Sequence, residues 1–572
     1  SLLIDNQRWQ EAQAFLPQIQ LDEVPLSRRE VYARINLAQS LLKLRSATTA
    51  DAGAKIKNNY SQSQIAKILA TAINDAKSLK DIRAESYALG NLGAIYEITK
   101  QTENSLDLTK EALILAQSIS ASDIAYRWQW QLGRLLKAEG DNKSAIAAYS
   151  IAVETLKSLR GDLVAVNPDN PDIQFSFRDS VEPVYRELVD LLVSTGGEQN
   201  QENLRQARQI IESLQLAELD NFFQEACLNA KPVQIDQIDR SAAVVYPIIL
   251  PDKIAVILSL PDSSLRLYTT DKPQNEIESI LDELQQDMGR VAANRQKVLS
   301  FSQQVYDWLI RPGEADLQKN NVQTLVFVLD GLLRNIPMSA LHDGKQYLIE
   351  KYSVALTPGL QLLPPQPLKK EQFRVLTVGL SEARQGFTPL PNVGQELQQI
   401  QSQVNNGEIL LNQEFTDNNL QKALNLVPFP VVHIATHGQF SSQADKTFIL
   451  TWNDKINVKE LDSLLRRKQQ ESSRPIELLV FSACETAEGD NRAALGLAGV
   501  AVRAGARSTL ATLWRVSDES TAAFMVKFYS ELANSGVSKS EALRRAQVSL
   551  LQQNRYRTPY FWAPFVLVGN WQ

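Results

Sequence analysis

Cysteine, histidine and methionine are scarce in this chain of 572 residues, which holds two, three and three of them. Two thiols, Cys227 and Cys484, cannot build a disulfide framework, so a reducing cytoplasm is the simplest setting. No apolar run approaches the roughly 18 residues of a membrane span, so no membrane partner is expected. No secretory leader is expected either, although a chain opening Ser-Leu-Leu without Met reads as a fragment or a trimmed product. The net charge of −6 is spread out, with no basic tail or stripe, and nucleic acid is not an expected direct partner. What is present is ordinary: 44% hydrophobic and 22% charged residues can bury large cores. The length suggests about three or four domains.

The first part of the chain is helical in period and repeats. Ala72-Ile73, Ala112-Leu113 and Ala152-Val153 recur every 40 residues, and Leu92-Gly93 matches Leu132-Gly133 at the same interval. Small residues at such places let antiparallel helices touch while larger ones fill the seam. This resembles the tetratricopeptide repeat, whose period of about 34 residues is shorter, so each helix is expected to be longer by roughly a turn. A degenerate earlier copy includes Trp9, Ala12, Leu37 and Leu41, interrupted by the polar stretch Ser46 to Ser63. Such pairs stack into a solenoid with a concave binding face; a plain helical bundle is the alternative that the fixed spacing disfavours.

The pattern breaks into an expected loop between Gly161 and Pro171, and two more helices follow at Val181–Thr195 and Gln201–Ala226. Ala242–Ile249, Ile254–Leu260 and Leu265–Thr270 then read as a meander of strands parted by Pro-Asp turns. From Phe373 onward strands and helices alternate. Strands are expected at Phe373–Leu380, Glu408–Asn412, Val431–Thr436, Ile476–Phe481, Ser508–Leu513 and Pro564–Val568. That alternation predicts an α/β half with a mostly parallel six-stranded sheet covered on both faces, and a β-rich extension before it. The expected domains are a helical repeat domain over 1–226, the β-rich extension over 227–322 and the α/β domain over 323–572.

Two strand ends carry chemistry. Val431 to Gly438 reads V-V-H-I-A-T-H-G, and Ile476 to Phe481 runs into Ser482-Ala483-Cys484-Glu485-Thr486. Neighbouring parallel strands ending in His437 and Cys484 would bring both to the carboxyl edge of the sheet, where open α/β sheets keep their sites. A thiol of pKa about 8.5 needs a base to act as a nucleophile, and His437 is the candidate. The backbone N–H groups of Gly438 and Cys484 are the natural oxyanion donors. The competing reading is packing, since free cysteine is among the most buried residue types. His433 and His437 also form H-x-x-x-H, but on a β-branched strand the two rings would sit roughly 13 Å apart at about 3.3 Å per residue. A metal site is therefore not expected, and His433 reads as a supporting residue.

These segments resemble the CHAT domain, a caspase-like cysteine peptidase domain related to separase and commonly fused to tetratricopeptide repeats. The resemblance runs from about Thr324 to the end. It includes Asp330-Gly331-Leu332-Leu333-Arg334-Asn335-Ile336-Pro337, Ala504 to Ser508, Leu513-Trp514 and the closing Tyr560 to Gly569. It implies a caspase-like fold and a His437/Cys484 dyad with the oxyanion held by the Gly438 and Cys484 amides. It further implies that the strands of Ala242–Thr270 belong to an amino-terminal extension of the protease half.

For specificity, Leu513 to Asp518 is similar to the separase segment whose acidic residue receives a substrate arginine. Asp518 would then favour Arg or Lys before the cut bond. Ser517 and Asp518 equally suit a helix start, and one Asp can do both. Glu485, Glu488 and Asp490 either line the same pocket or face solvent. Arg384 would be needed for an acidic preference and ranks lower. The expected function is a cysteine endopeptidase with no cofactor, whose repeats bind a protein substrate or an activating partner that orders the loops around Gly438 and 486–492. The alternative is a non-catalytic interaction scaffold.

Overall fold

The structure is a computed structural model that describes residues 3, 8–19, 24–50, 60–166, 177–195, 200–223, 239–357, 368, 373–404, 407–427, 429–440, 447–457, 459–461, 463–465, 476–482, 484–486, 506–534 and 536–572. It falls into two compact units, Ser1–Leu191 and Leu192–Gln572.

The first unit is built of TPR-like helical repeats. Helices Gln62–Leu79, Ile82–Ile98, Thr102–Ser118 and Ser122–Ala138 contain 18, 17, 17 and 17 residues. Every one ends in the same turn. Positive φ occurs at Lys80, Lys100, Ser120 and Gly140, and the following N–H reaches back five residues each time. These bonds run from Asp81 to Ala76, Gln101 to Tyr96, Ala121 to Ala116 and Asp141 to Leu136, at 2.8–3.0 Å. That 6→1 bond ties off carbonyls the helix cannot satisfy. The 40-residue period of the sequence is thus two helix-plus-turn units. Its recurring alanines, Ala72, Ala112 and Ala152, are wholly buried.

Small residues sit where helices cross. A Cβ on Gly133 would lie 2.7 Å from the Tyr149 ring, and Tyr149 is itself pinned by its hydroxyl donating to Glu187 at 2.7 Å. Trp128 Nε1 donates to Ser86 Oγ at 3.0 Å, which donates to the Ala112 carbonyl at 2.7 Å. Helix Asn142–Val166 runs past Gly161, where a loop was expected, because the Leu-Val-Ala-Val that follows continues the helix at the modest cost of one interior glycine. The polar stretch after Ser46 is helical as far as Ala50, and residues 51–59 lie outside the described ones.

The second unit is organised on one sheet with the order β3-β2-β1-β4-β5-β15-β14-β12-β8-β6-β7. These strands are β1 Ala242–Ile249, β2 Lys253–Ser259, β3 Leu265–Asp271, β4 Thr324–Phe327, β5 Ser353–Leu356, β6 Val375–Gly379, β7 Glu408–Leu411, β8 Val431–Ala435, β12 Leu478–Phe481, β14 Ser508–Thr512 and β15 Phe565–Gly569. All six strands expected in the α/β half are adjacent, from β15 to β7, parallel except for the β14–β15 pair. The β-rich extension does not stand apart. Its β1 pairs in parallel with β4, so the meander lengthens the same eleven-stranded sheet. Central strands are buried throughout, which explains their unbroken apolar runs.

Helix Gln201–Phe223, read from sequence with the repeats, belongs to this second unit. Its polar residues are spent on the sheet: Glu212 accepts from Tyr246 Oη at 2.7 Å, Gln215 donates to the Leu329 carbonyl at 2.9 Å, and Glu218 pairs with buried Arg334. A helix amphipathic in period does not reveal which neighbour covers its inner face. The expected boundary near residue 226 lies outside the described residues.

Replacing Gly133 by Ala should cost about 1–3 kcal/mol, because the tyrosine it meets is buried and tethered. Urea unfolding followed by circular dichroism measures it; an unchanged midpoint would show that the helices part freely at this crossing.

Candidate active site

Strands β8 and β12 pair in parallel, with Phe481 opposite Ile434. Both then leave the main sheet and pair again as β9 (Gly438–Phe440) and β13 (Cys484–Thr486), again in parallel, with Cys484 opposite Gly438. Three residues, Ala435-Thr436-His437, separate the two pairings on one strand and two, Ser482-Ala483, on the other. The extra residue is a bulge that moves the register by one. Cys484 therefore faces the residue after His437 in the backbone ladder. A smaller sheet, β11-β10-β9-β13, carries this edge, with β10 at Phe448–Leu450 and β11 at Lys455–Asn457.

His437 is 9% exposed and held from the loop that follows β6. Its Nε2 donates to the Thr388 carbonyl at 2.7 Å, and the Phe387 ring lies 5.1 Å from the imidazole, centroid to centroid. A carbonyl can only accept, so Nε2 carries the proton and Nδ1 of the neutral ring carries the lone pair. This is the geometry of a base oriented by a third group. Sequence reasoning missed Thr388, and no side-chain signal could have found it, because the contact is made by backbone.

A pocket beside His437 is lined by Leu390, Glu396, Ser482, Arg515 and Asp518, with Thr512, Val516 and Thr521. Ser517 caps helix Asp518–Leu532, accepting from Ser520 N–H at 3.2 Å, so Asp518 is not the cap. Asp518 Oδ2 instead accepts from both the backbone and the side-chain nitrogen of Asn392, at 2.7 and 2.8 Å. It ties the loop over His437 to the helix start and still lines the pocket. Arg515 reaches from the same pocket to Thr388 Oγ1 at 3.1 Å. Arg384 does not line this pocket; its guanidinium stacks 3.2 Å above the Trp452 ring. Glu485 is placed by its backbone in β13, opposite Gln439. Glu488, Asp490 and Cys227 lie outside the described residues, as does the expected helix Ala493–Ala504.

The chain matches the CHAT domain family over residues 299–570. The match spans just under half of the chain. Among solved structures, the chain is similar to the TPR-like repeats of a putative kinesin light chain from Podosopora anserina, 14% identical with a TM-score of 0.25, covering 38% of this chain and 91% of that one. It is also similar to the Saccharomyces cerevisiae separase–securin complex, 11% identical with a TM-score of 0.37, covering 98% of this chain and 58% of that one. No curated protein matches it. Helical repeats joined to residues that match the CHAT domain support a peptidase-like or a scaffolding role and suggest protein–protein interaction through the repeats. Among the described residues no helix is long and apolar enough to cross a membrane.

Within the CHAT domain the two neighbouring histidines part company. His433, in the middle of β8, is fully buried, with Nε2 2.9 Å from Glu396 Oε1 and Nδ1 3.2 Å from the Tyr529 hydroxyl. Glu396, on helix Val393–Gln403, is 1% exposed. Burial, and secondarily the Glu396 charge, push the Tyr529 phenol well above its ordinary value, so it stays protonated and available as a donor to Nδ1. On its other side the ring meets the Glu396 carboxyl through Nε2. Gly379 lets helix Val393–Gln403 close on the sheet, since a Cβ there would lie 2.7 Å from both Val393 and the Ala435 carbonyl. Glu396 is a second residue that sequence reasoning missed, although its helical spacing with Val393, Leu397 and Ile400 puts it on the buried face of its helix.

Tyr529→Phe leaves Nδ1 of His433 unpaired and should cost about 1–3 kcal/mol at neutral pH. The phenol is raised in the fold, so its contribution is present below the ordinary tyrosine pKa of about 10 and is lost as pH rises beyond it. Wild-type stability should accordingly fall more steeply between pH 9 and 11 than that of the variant. Parallel slopes in urea midpoint against pH would remove Tyr529 from the network.

Proposed function

We propose that the protein is a cysteine endopeptidase that cuts a protein substrate after Arg or Lys, using Cys484 as nucleophile and His437 as base. The observation that carries this reading is the ladder pairing of Cys484 with Gly438, directly after His437, at the carboxyl edge of parallel strands. In this mechanism the Cys484 thiol gives its proton to Nδ1 of His437, whose other nitrogen is engaged by Thr388. The thiolate attacks the substrate carbonyl carbon, and the backbone N–H groups of Gly438 and Cys484 receive the developing oxyanion. Collapse of the tetrahedral species breaks the C–N bond, and His437 returns the proton to the leaving amine. Water then hydrolyses the thioester by the same route in reverse.

Asp518 supports the basic preference, because Oδ2 is occupied by Asn392 while the carboxylate lines the pocket beside His437. A guanidinium there would gain a charge-assisted bond. The TPR-like repeats would recruit the substrate or an activating partner, with cytoplasmic action as the simplest setting for a free thiol. The scaffold reading rests on the same repeats and needs no chemistry at Cys484.

Incubation with a diverse peptide library, alone and with source-cell lysate, followed by mass spectrometry, should reveal cuts after Arg or Lys that vanish in Cys484→Ala. His437→Ala should lower the rate by about 10²–10⁴-fold. It should also slow alkylation of Cys484 by iodoacetamide at pH 7, measured on its own peptide so that Cys227 does not interfere. Alkylation at an ordinary thiol rate in both proteins, with no Cys484-dependent cuts, would favour the scaffold.

A further inference from the structure

The loop that orients His437 runs from β6 to helix Val393–Gln403, outside the main sheet. Leu390 N–H closes its base by donating to the Ser381 carbonyl at 3.0 Å. The loop narrows to the turn Arg384-Gln385-Gly386-Phe387, where Phe387 N–H donates to the Arg384 carbonyl at 2.8 Å. Gln385 and Gly386 have φ of 49° and 85°, the two positive values of a type I′ turn. Such a turn is rigid in itself but does not fix where it lies. Its flanking side chains do. Arg384 sets its guanidinium 3.2 Å above the Trp452 ring. Its buried Nε has no hydrogen-bond partner among the described residues, so the indole face is what holds it. Phe387 meets the His437 imidazole at 5.1 Å and Phe448 at 6.3 Å, centroid to centroid.

Trp452 belongs to the same frame as His437. Leu450 N–H donates to the His437 carbonyl at 2.8 Å, and two residues on, Trp452 N–H donates to the Phe415 carbonyl at 2.8 Å. Between them Thr451 is bound through its N–H to the Asp454 carbonyl and through its hydroxyl to Asp417, each at 2.8 Å. The end of β10 thus grips the backbone of His437 directly and, by way of Trp452 and Arg384, the loop that grips its ring. Thr388 follows the turn at once, so a shift of the turn carries its carbonyl off Nε2. With that acceptor gone, the imidazole proton is free to move to Nδ1, and the ring then has no lone pair where the thiol proton must go. A base misplaced by about 1 Å loses much of its effect.

We propose that Arg384 and Trp452 are positioning residues for His437. The guanidinium stacked on the indole seats the turn, which sets the Thr388 carbonyl on Nε2 and the Phe387 ring against the imidazole. This rests on the reading of His437 as the base of Cys484. Tryptophan is the ring that holds a cation best, and the contact needs no acid to complete it.

The test follows alkylation of Cys484 by iodoacetamide in the full chain, read on its own peptide across about pH 5–10. Arg384→Gln and Trp452→Leu should each slow the reaction at pH 7 about fivefold to thirtyfold, and move the midpoint of the profile toward the ordinary thiol value of about 8.5. The double variant should be no slower than either single one, because both remove the same contact. Arg384→Lys and Trp452→Phe, which keep a cation and a ring face, should recover most of the loss. On a cleaved peptide, kcat should fall and KM stay. An unchanged profile in Arg384→Gln, or losses that multiply in the double variant, overturns the inference. Should Trp452→Leu prove unfolded by circular dichroism, the Arg384 variants decide: loss in Arg384→Gln with recovery in Arg384→Lys supports the seat, and equal rates in the two overturn it. A wild-type rate no faster than that of His437→Ala refutes the dyad and this inference with it. A His437-dependent rate indifferent to Arg384→Gln refutes this inference alone.

Discussion

Parallel pairing of β8 with β12, and its resumption as β9 with β13 after one extra residue, is the constraint on which the rest of the CHAT domain depends. A parallel ladder fixes which residue stands opposite which, and a shift of one would turn each side chain to the other face. The bulge at Ala435-Thr436-His437 therefore does two things at once. It releases His437 from the main sheet, and it sets Cys484 against Gly438. Everything nearby serves that edge: Thr388 orients the imidazole, Asn392 and Asp518 clamp the loop that carries Thr388, and β10 and β11 close the small sheet beside it.

Beneath the edge lies a polar core that an apolar sheet would not need. His433, Glu396 and Tyr529 satisfy one another in a region where each alone would be costly. The network joins β8 to two helices, Val393–Gln403 and Asp518–Leu532, which border the pocket from separate parts of the sequence. Glu396 thus belongs to the buried network and also lines the pocket beside His437. The repeats of the first unit rest on a different economy, in which an identical turn recurs at Lys80, Lys100, Ser120 and Gly140, and small residues set the helix spacing.

Much of the fold was legible in the order of residues because burial leaves a periodic trace. The alanines at 72, 112 and 152 repeat because each occupies the same buried seam. The six strands from β6 to β15 could be read because strands covered on both faces are continuously apolar. The neighbours of helix Gln201–Phe223 were not legible for the converse reason: its buried Glu212, Gln215 and Glu218 look like solvent residues until Tyr246, Leu329 and Arg334 are seen beside them. The positions of His437 and Gly438 at a strand end, and of Asp518 at a helix start, were legible in the sequence. Asp518 proved to belong to the pocket and to the loop clamp, while Ser517 took the cap.

The sequence by itself determined what is periodic or local: the helical repeats, the alternation of strands and helices, and a histidine and a cysteine each placed where a buried strand ends. Tertiary structure alone decided what depends on contact between distant segments. It set the one-residue offset that brings Cys484 opposite Gly438, chose a backbone carbonyl at Thr388 for His437, and buried Glu396 against a histidine 37 positions away. Periodicity is imposed by the repeating geometry of a single element and is written in its own residues. Pairing between elements is imposed by the closure of the whole chain, and a carboxylate carries no mark of which histidine it will meet.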